Sequence, residues 1–96
     1  MILVNAENVF PNEIEYRLDA HPAVRESAVI GVDDETTGQA IRAFVVLADD
    51  ATVDAHELHA WCRAAMAGYK VPTQWVLRAE PLPRNPSGKV LKRDLA

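Results

Sequence analysis

Cysteine, long apolar runs and a phosphate-cradling glycine loop are scarce or missing in this 96-residue chain. The one cysteine, Cys62, has no partner for an internal disulfide, which fits a reducing compartment. No stretch approaches the ~18 apolar residues that a membrane span needs. The opening MILVNAENVF lacks the basic start and long apolar centre of a signal peptide, so the chain is expected in the cytoplasm. No GxxxxGK[ST] occurs, and there is no internal repeat or low-complexity segment.

What is present is ordinary soluble-globular composition, 49% hydrophobic and 25% charged, which excludes intrinsic disorder. Ninety-six residues make one domain with a modest core. That is too little to enclose a nucleotide or an acyl thioester, so any chemistry here needs a second surface. The net charge of −4 is uneven: the segment 84–93 holds Arg84, Lys89, Lys92 and Arg93 with no acid, leaving 6 basic against 14 acidic residues elsewhere. An acidic body disfavours general nucleic-acid binding, while a short basic end suits phosphates or a carboxylate. From charge alone a solvated tail is the preferred reading.

Along the chain, Ile2–Val4 and Asn8–Phe10 read as a β-ribbon around the turn-prone Asn5-Ala6. Pro11 suits the first turn of a helix, with Glu13 and Glu15 near its positive end and Ile14 and Leu18 on one face; His21-Pro22 ends it. Two buried strands, Val24–Val32 and IRAFVVL, flank the turn DDETTG. Asp54 and Glu57 form a capping box for a second helix with the stripe Leu58, Trp61, Cys62, Ala65 and Met66, stopped by Gly68. A last strand is expected at Gln74–Arg78, after which Pro81, Pro83 and Pro86 argue against regular structure until Val90. The expected fold is α+β: a small, mostly antiparallel sheet with two packed helices, an N-terminal β-ribbon and a C-terminal lysine-bearing loop.

Candidate sites divide by whether packing already explains them. His56, His59 and Cys62 are spaced for a shared metal, but Cys62 lies in the apolar stripe and no second ligand pair exists, so no metal site is expected. The same burial excludes a cysteine nucleophile. Trp61 and Trp75 fall within core elements, and the acidic DDE at 33–35 reads as a solvated turn. Ser87-Gly88-Lys89 remains. Glycine lets a backbone approach a ligand, and lysine places a compact cation on a long stem, suited to charge on phosphate or carboxylate oxygens. On physical grounds the triplet is balanced between that role and a solvated loop.

The blocks ENVFPNEIE, HPAVRESAVIGVDDETTGQAIRAFVVL, ELHAWCRAAMAGYKVP and LPRNPSGKVLKRDL, taken in order, resemble the small C-terminal domain of adenylate-forming enzymes. This superfamily comprises acyl-CoA synthetases, peptide-synthetase adenylation domains and firefly luciferase. The resemblance covers essentially the whole chain and implies a single domain, residues 1–96, acting as the mobile lid of a two-domain enzyme. The large N-terminal domain would bind ATP with Mg2+ and the carboxylic acid. Acyl-AMP and pyrophosphate form first, and the lid then rotates for thioester formation with CoA.

By resemblance, Lys89 is the adenylation lysine, with Ser87 and Gly88 shaping its loop, and an acetyltransferase acting on Lys89 would switch the enzyme off. Lys92 and Arg93 are expected to contact the large domain or phosphates, or to be solvated. The family's Gly-Gly-Glu-Asn loop, which faces CoA in the second step, corresponds to Asn5-Ala6-Glu7-Asn8, so two glycines are replaced and Asn5, Ala6 and Glu7 are the CoA-facing candidates. The chain starts just inside the family's hinge and is expected to be a fragment of a longer enzyme. Its ending resembles ligases for fatty or aromatic acids. The alternative from another class is a stand-alone binding module that docks its basic end on an acidic partner.

Overall fold

Every position of the stretch Ala43–Val46 is buried, which demands a cover on both faces of one strand. The computed structural model, which describes residues 1–95, supplies both covers. The order of elements is β1 (Ile2–Val4), β2 (Glu7–Val9), α1 (Pro11–Asp19), β3 (Val24–Asp34), β4 (Gly38–Leu47), α2 (Ala55–Arg63) and β5 (Gln74–Arg78). β4 is the central strand. β3 runs antiparallel along one of its edges, from Glu26 opposite Val46 to Asp34 opposite Gly38. The other edge is shared by β1, which meets Gly38, and by β5, which lies parallel to Arg42–Val46. The parallel pairing follows from the crossover through α2.

Alternation along β4 separates two cores. Ile41, Ala43 and Val45 face the helices and join Ile14, Leu18, Leu58 and Cys62. Phe44 and Val46 face the other way and join Ala28, Leu82 and Leu95, with Ile30 and Val90 packed around them. The segment after β5 is therefore the second cover of the sheet, since Leu82 and Leu95 are each only 3% exposed. Those two leucines hold it down.

α1 and α2 form where the sequence places them, with Pro11 opening the first and the Asp54 carboxylate accepting from Glu57 N at 2.9 Å to open the second. The capping box is only half made, because the Glu57 side chain is used elsewhere: its Oε2 accepts from His21 Nε2 at 2.9 Å. His21 is buried, its Nδ1 accepts from Ala23 N, and its ring meets the edge of Trp61 at 4.9 Å. Arg17 stacks 3.7 Å over Trp61, and the two residues exchange side-chain to backbone hydrogen bonds of 2.8 and 2.9 Å. This polar latch ties α1 to α2 beside the apolar core.

Several boundaries differ from the sequence-based expectation. β2 spans Glu7–Val9 rather than Asn8–Phe10, because Asn5-Ala6 form a two-residue turn that pairs Val4 with Glu7. β3 runs through Asp33 and Asp34, so the turn is shorter than DDETTG; the Asp34 carboxylate accepts from Thr36 N and Thr37 N, both at 2.9 Å, and these bonds hold its pKa below the ordinary value. α2 ends at Arg63, well before Gly68, since Ala64, Ala65 and Ala67 are exposed and bring nothing to bury. Gly68 instead opens a single 3-10 turn, Gly68–Lys70. Among the described residues no helix is long and apolar enough to cross a membrane.

Truncation of the second cover should be as damaging as truncation of the main core. Leu82→Ala is expected to lower the unfolding free energy by about 2–4 kcal/mol, read as a drop in urea midpoint at constant slope.

Candidate functional site

As Pro81, Pro83 and Pro86 imply, no helix or strand forms between β5 and Val90, yet the basic segment is ordered around one isolated bridge. The chain folds back on itself as a small hairpin, with Arg84 bridged to Val90, Leu91 N donating to Pro83 O and Asn85 N donating to Lys89 O, both at 2.9 Å. The turn closes with Gly88 N on Asn85 O at 2.9 Å. Gly88 adopts φ +89°, and a Cβ there would meet nothing within 4 Å, so glycine is needed for its backbone conformation rather than for space. This is the three-residue turn ending in a left-handed residue that commonly joins paired strands.

Asn85, which the sequence reading passed over, organises the turn. Its Oδ1 accepts from Ser87 N at 3.1 Å, Ser87 Oγ at 2.9 Å and Lys89 N at 2.9 Å. An Asn-Pro pair is a recognised turn signal and could have found it. Ser87 thus spends its hydroxyl inside the loop. Lys89 stands exposed at the end of the turn, beside an open surface depression of about 450 Å³ lined by Asn85, Lys89, Val90, Leu91, Lys92 and Arg93.

The basic residues of 84–93 divide into two kinds. Arg84 pairs with Glu26 of β3, and Lys92 Nζ pairs with Glu15 of α1 at 2.9 Å. Lys89 and Arg93 have no carboxylate within 4.0 Å among the described residues. Much of the apparent basic patch is therefore used in fastening the segment to the domain, and less of it is open to an acidic partner than the charge count suggested.

The second candidate loop lies elsewhere. Asn5 and Ala6 have φ of 50° and 66°, the left-handed pair of a tight hairpin turn, so the backbone shape usually given to glycine is kept despite two side chains. Asn5 N donates to Thr37 O at 2.8 Å, which leans the tip on the β3–β4 turn, while Glu7 is exposed on β2. A cleft of about 300 Å³ adjoins it, lined in part by Val4, Asp34, Thr37, Tyr69 and Val71. The Asn5-Ala6 tip is anchored near Gly38 and the Lys89 hairpin near Glu26 and Val46, eight residues apart on the β3–β4 ladder or roughly 26 Å. The structure does not bring the two candidate loops together.

Cys62 is fully buried, and burial pushes its thiol up to about 11, against a weaker opposing pull from Arg17. His56 and His59 are exposed along a shallow depression with Trp75, and no grouping of three metal-ligating residues occurs among the described residues. Lys70 pairs with Glu13 at 3.1 Å, which raises its pKa and fixes the 3-10 turn to α1.

A family model described as the AMP-binding enzyme C-terminal domain matches residues 13–89. The chain belongs to this family. Its members form the C-terminal part of adenylate-forming acyl-CoA ligases. It is 48% identical over 95 residues to a long-chain-fatty-acid–CoA ligase of Yersinia pestis, covering 99% of this chain and 16% of that protein. It is 43% identical over 94 residues to a fatty acid–[acyl-carrier-protein] ligase of Streptomyces coeruleorubidus, covering 98% and 18%. Among solved structures it resembles the o-succinylbenzoate CoA synthetase of Bacillus subtilis in complex with its acyl-adenylate intermediate, with TM-score 0.90 and 38% identity over 98% of this chain and 19% of that one. The chain spans less than a fifth of the length of these relatives.

A Cβ in the left-handed region costs about 1 kcal/mol. Ala6→Gly is therefore expected to raise the thermal midpoint of the domain, by an amount equivalent to about 1 kcal/mol in calorimetry.

Proposed function

We propose that this domain is the catalytic lid of an ATP-dependent acyl-CoA ligase and that Lys89 is its adenylation residue. The supporting observation is a contrast within one basic segment: Arg84 and Lys92 are neutralised by carboxylates of the domain, while Lys89, without an ion-pair partner among the described residues, is held out by a turn built around its own backbone. An ammonium without an internal partner, on a fixed support, suits a substrate anion.

In the first half-reaction a carboxylate oxygen attacks the α-phosphorus of ATP. The bond to the bridging oxygen breaks, and pyrophosphate leaves with the electron pair. Two anions must approach each other, and charge builds on the α-phosphoryl oxygens. Lys89 bridges carboxylate and phosphoryl oxygens, which lowers their repulsion and stabilises the transition state. ATP and Mg2+ would be held mainly by a large N-terminal domain; this chain contributes the lysine. The metal supplies charge neutralisation on the phosphates when bound.

In the second half-reaction the thiol sulfur attacks the acyl carbon, the bond to AMP breaks and the thiol proton is released. The Asn5-Ala6-Glu7 turn would face the incoming thiol, CoA in this reading. Its anchor lies far from that of Lys89 on a rigid ladder, which favours the two surfaces acting in turn, through rotation of the domain. Acetylation of Lys89 is sterically open, because the side chain is exposed, and would remove the cation.

The test uses the full-length enzyme with fatty and hydroxycinnamic acids as probes, taking the acid that wild type activates best. Lys89→Ala should lower ATP–pyrophosphate exchange by about 10²–10³-fold or more while thioester formation from supplied acyl-AMP is kept. Equal activity in both assays would reject the lysine assignment.

A further inference from the structure

We infer that Asn85, Arg84 and Glu26 are positioning residues for adenylation, which rests on the role of Lys89 proposed above. The backbone around Lys89 is fixed at three successive points. Arg84 Nη1 donates to Gly88 O at 2.7 Å, Asn85 Oδ1 accepts from Lys89 N, and Asn85 N donates to Lys89 O, each of the last two at 2.9 Å. Arg84 is itself anchored, since its Nη2 donates to Glu26 Oε1, and the other oxygen of Glu26 accepts from Leu82 N at 3.2 Å. Glu26 is the less exposed member of the pair, at 16% against 44%, and belongs to β3, which is paired along its length with the central strand β4. A continuous chain of contacts therefore runs from the sheet through Glu26 and Arg84 to the peptide that carries Lys89.

None of these bonds touches the lysine side chain. They order its Cα and leave the stem and ammonium free, so the entropy of fixing the loop is lost on folding rather than on reaching the transition state. A displacement of about 1 Å at a positioned catalytic group can cost on the order of 10²-fold in rate. The cost falls only on the step in which Lys89 takes part. A purely structural role would instead affect both half-reactions through stability.

Arg84 alone is an ambiguous probe, because an exposed guanidinium could contact phosphate directly. Glu26→Gln resolves this: it removes the charged anchor and leaves Arg84 in place. Asn85→Asp provides the complementary control, because it keeps an Oδ1 acceptor that Asn85→Ala removes.

In the full-length enzyme, Asn85→Ala, Arg84→Ala and Glu26→Gln are each expected to lower the kcat of ATP–pyrophosphate exchange by about 10–100-fold. The KM for ATP, the thermal midpoint and thioester formation from supplied acyl-AMP should change little, and Asn85→Asp should recover most of the exchange rate. Parallel loss in both half-reactions, or a rate in Asn85→Ala equal to wild type while Lys89→Ala is inactive, would overturn the inference and leave the lysine assignment standing. Loss in Arg84→Ala with none in Glu26→Gln would also overturn it, in favour of direct contact by Arg84. An active Lys89→Ala enzyme would remove the premise itself.

Discussion

The middle of β4 is buried on both faces, and the rest of the molecule follows from covering it. The helices bury Ile41, Ala43 and Val45; Leu82 and Leu95 bury Phe44 and Val46. Fully burying one such side chain is worth about 1.5–3 kcal/mol, so the two leucines anchor both ends of the intervening stretch on the sheet. The stretch between them contains Lys89. Because its two ends are pinned in one apolar cluster, the hairpin has a defined base, and the ion pairs of Arg84 and Lys92 set how it lies across β3 and α1. Electrostatics adds orientation to what hydrophobic burial has already attached.

Much of this was legible in the sequence because it depends on local periodicity. The stripes Ile14/Leu18 and Leu58/Cys62, the near-continuous apolar runs of β3 and β4, and Pro11 as a helix opener each depend on a few neighbouring residues. What escaped depends on partners distant in sequence. Glu57 looks like one half of a capping box until His21, 36 residues earlier, takes its carboxylate. Helix α2 stops before Gly68 because no partner waits for Ala64 or Ala65, and a glycine rule cannot register a missing contact. Three prolines argued against regular structure after β5, but that Leu82 and Leu95 fasten this segment to a sheet face is something local rules do not reveal. For the site, Lys89, Ser87 and Gly88 were legible as a motif, whereas Asn85 was legible only as half of an Asn-Pro turn signal, without the three hydrogen bonds that converge on its oxygen.

One way for a lysine to enter one reaction state and leave the next is a flexible loop. The geometry favours a different division of labour. Within the domain the lysine's backbone is among the more thoroughly constrained stretches, tied to β3 through Arg84 and Glu26 and closed by Asn85. A flexible loop would have to be ordered in every adenylation cycle, at about 1–2 kcal/mol for each residue fixed. A prefolded hairpin avoids that cost and confines movement to the domain as a whole. On the proposed reading, rotation of a rigid body would carry the Lys89 hairpin away as it brings the Asn5-Ala6 turn in, because both are fastened to the same β3–β4 ladder at separated positions. On the proposed reading, the exchange of one loop for the other is then a geometric consequence of the sheet, and neither loop has to switch conformation.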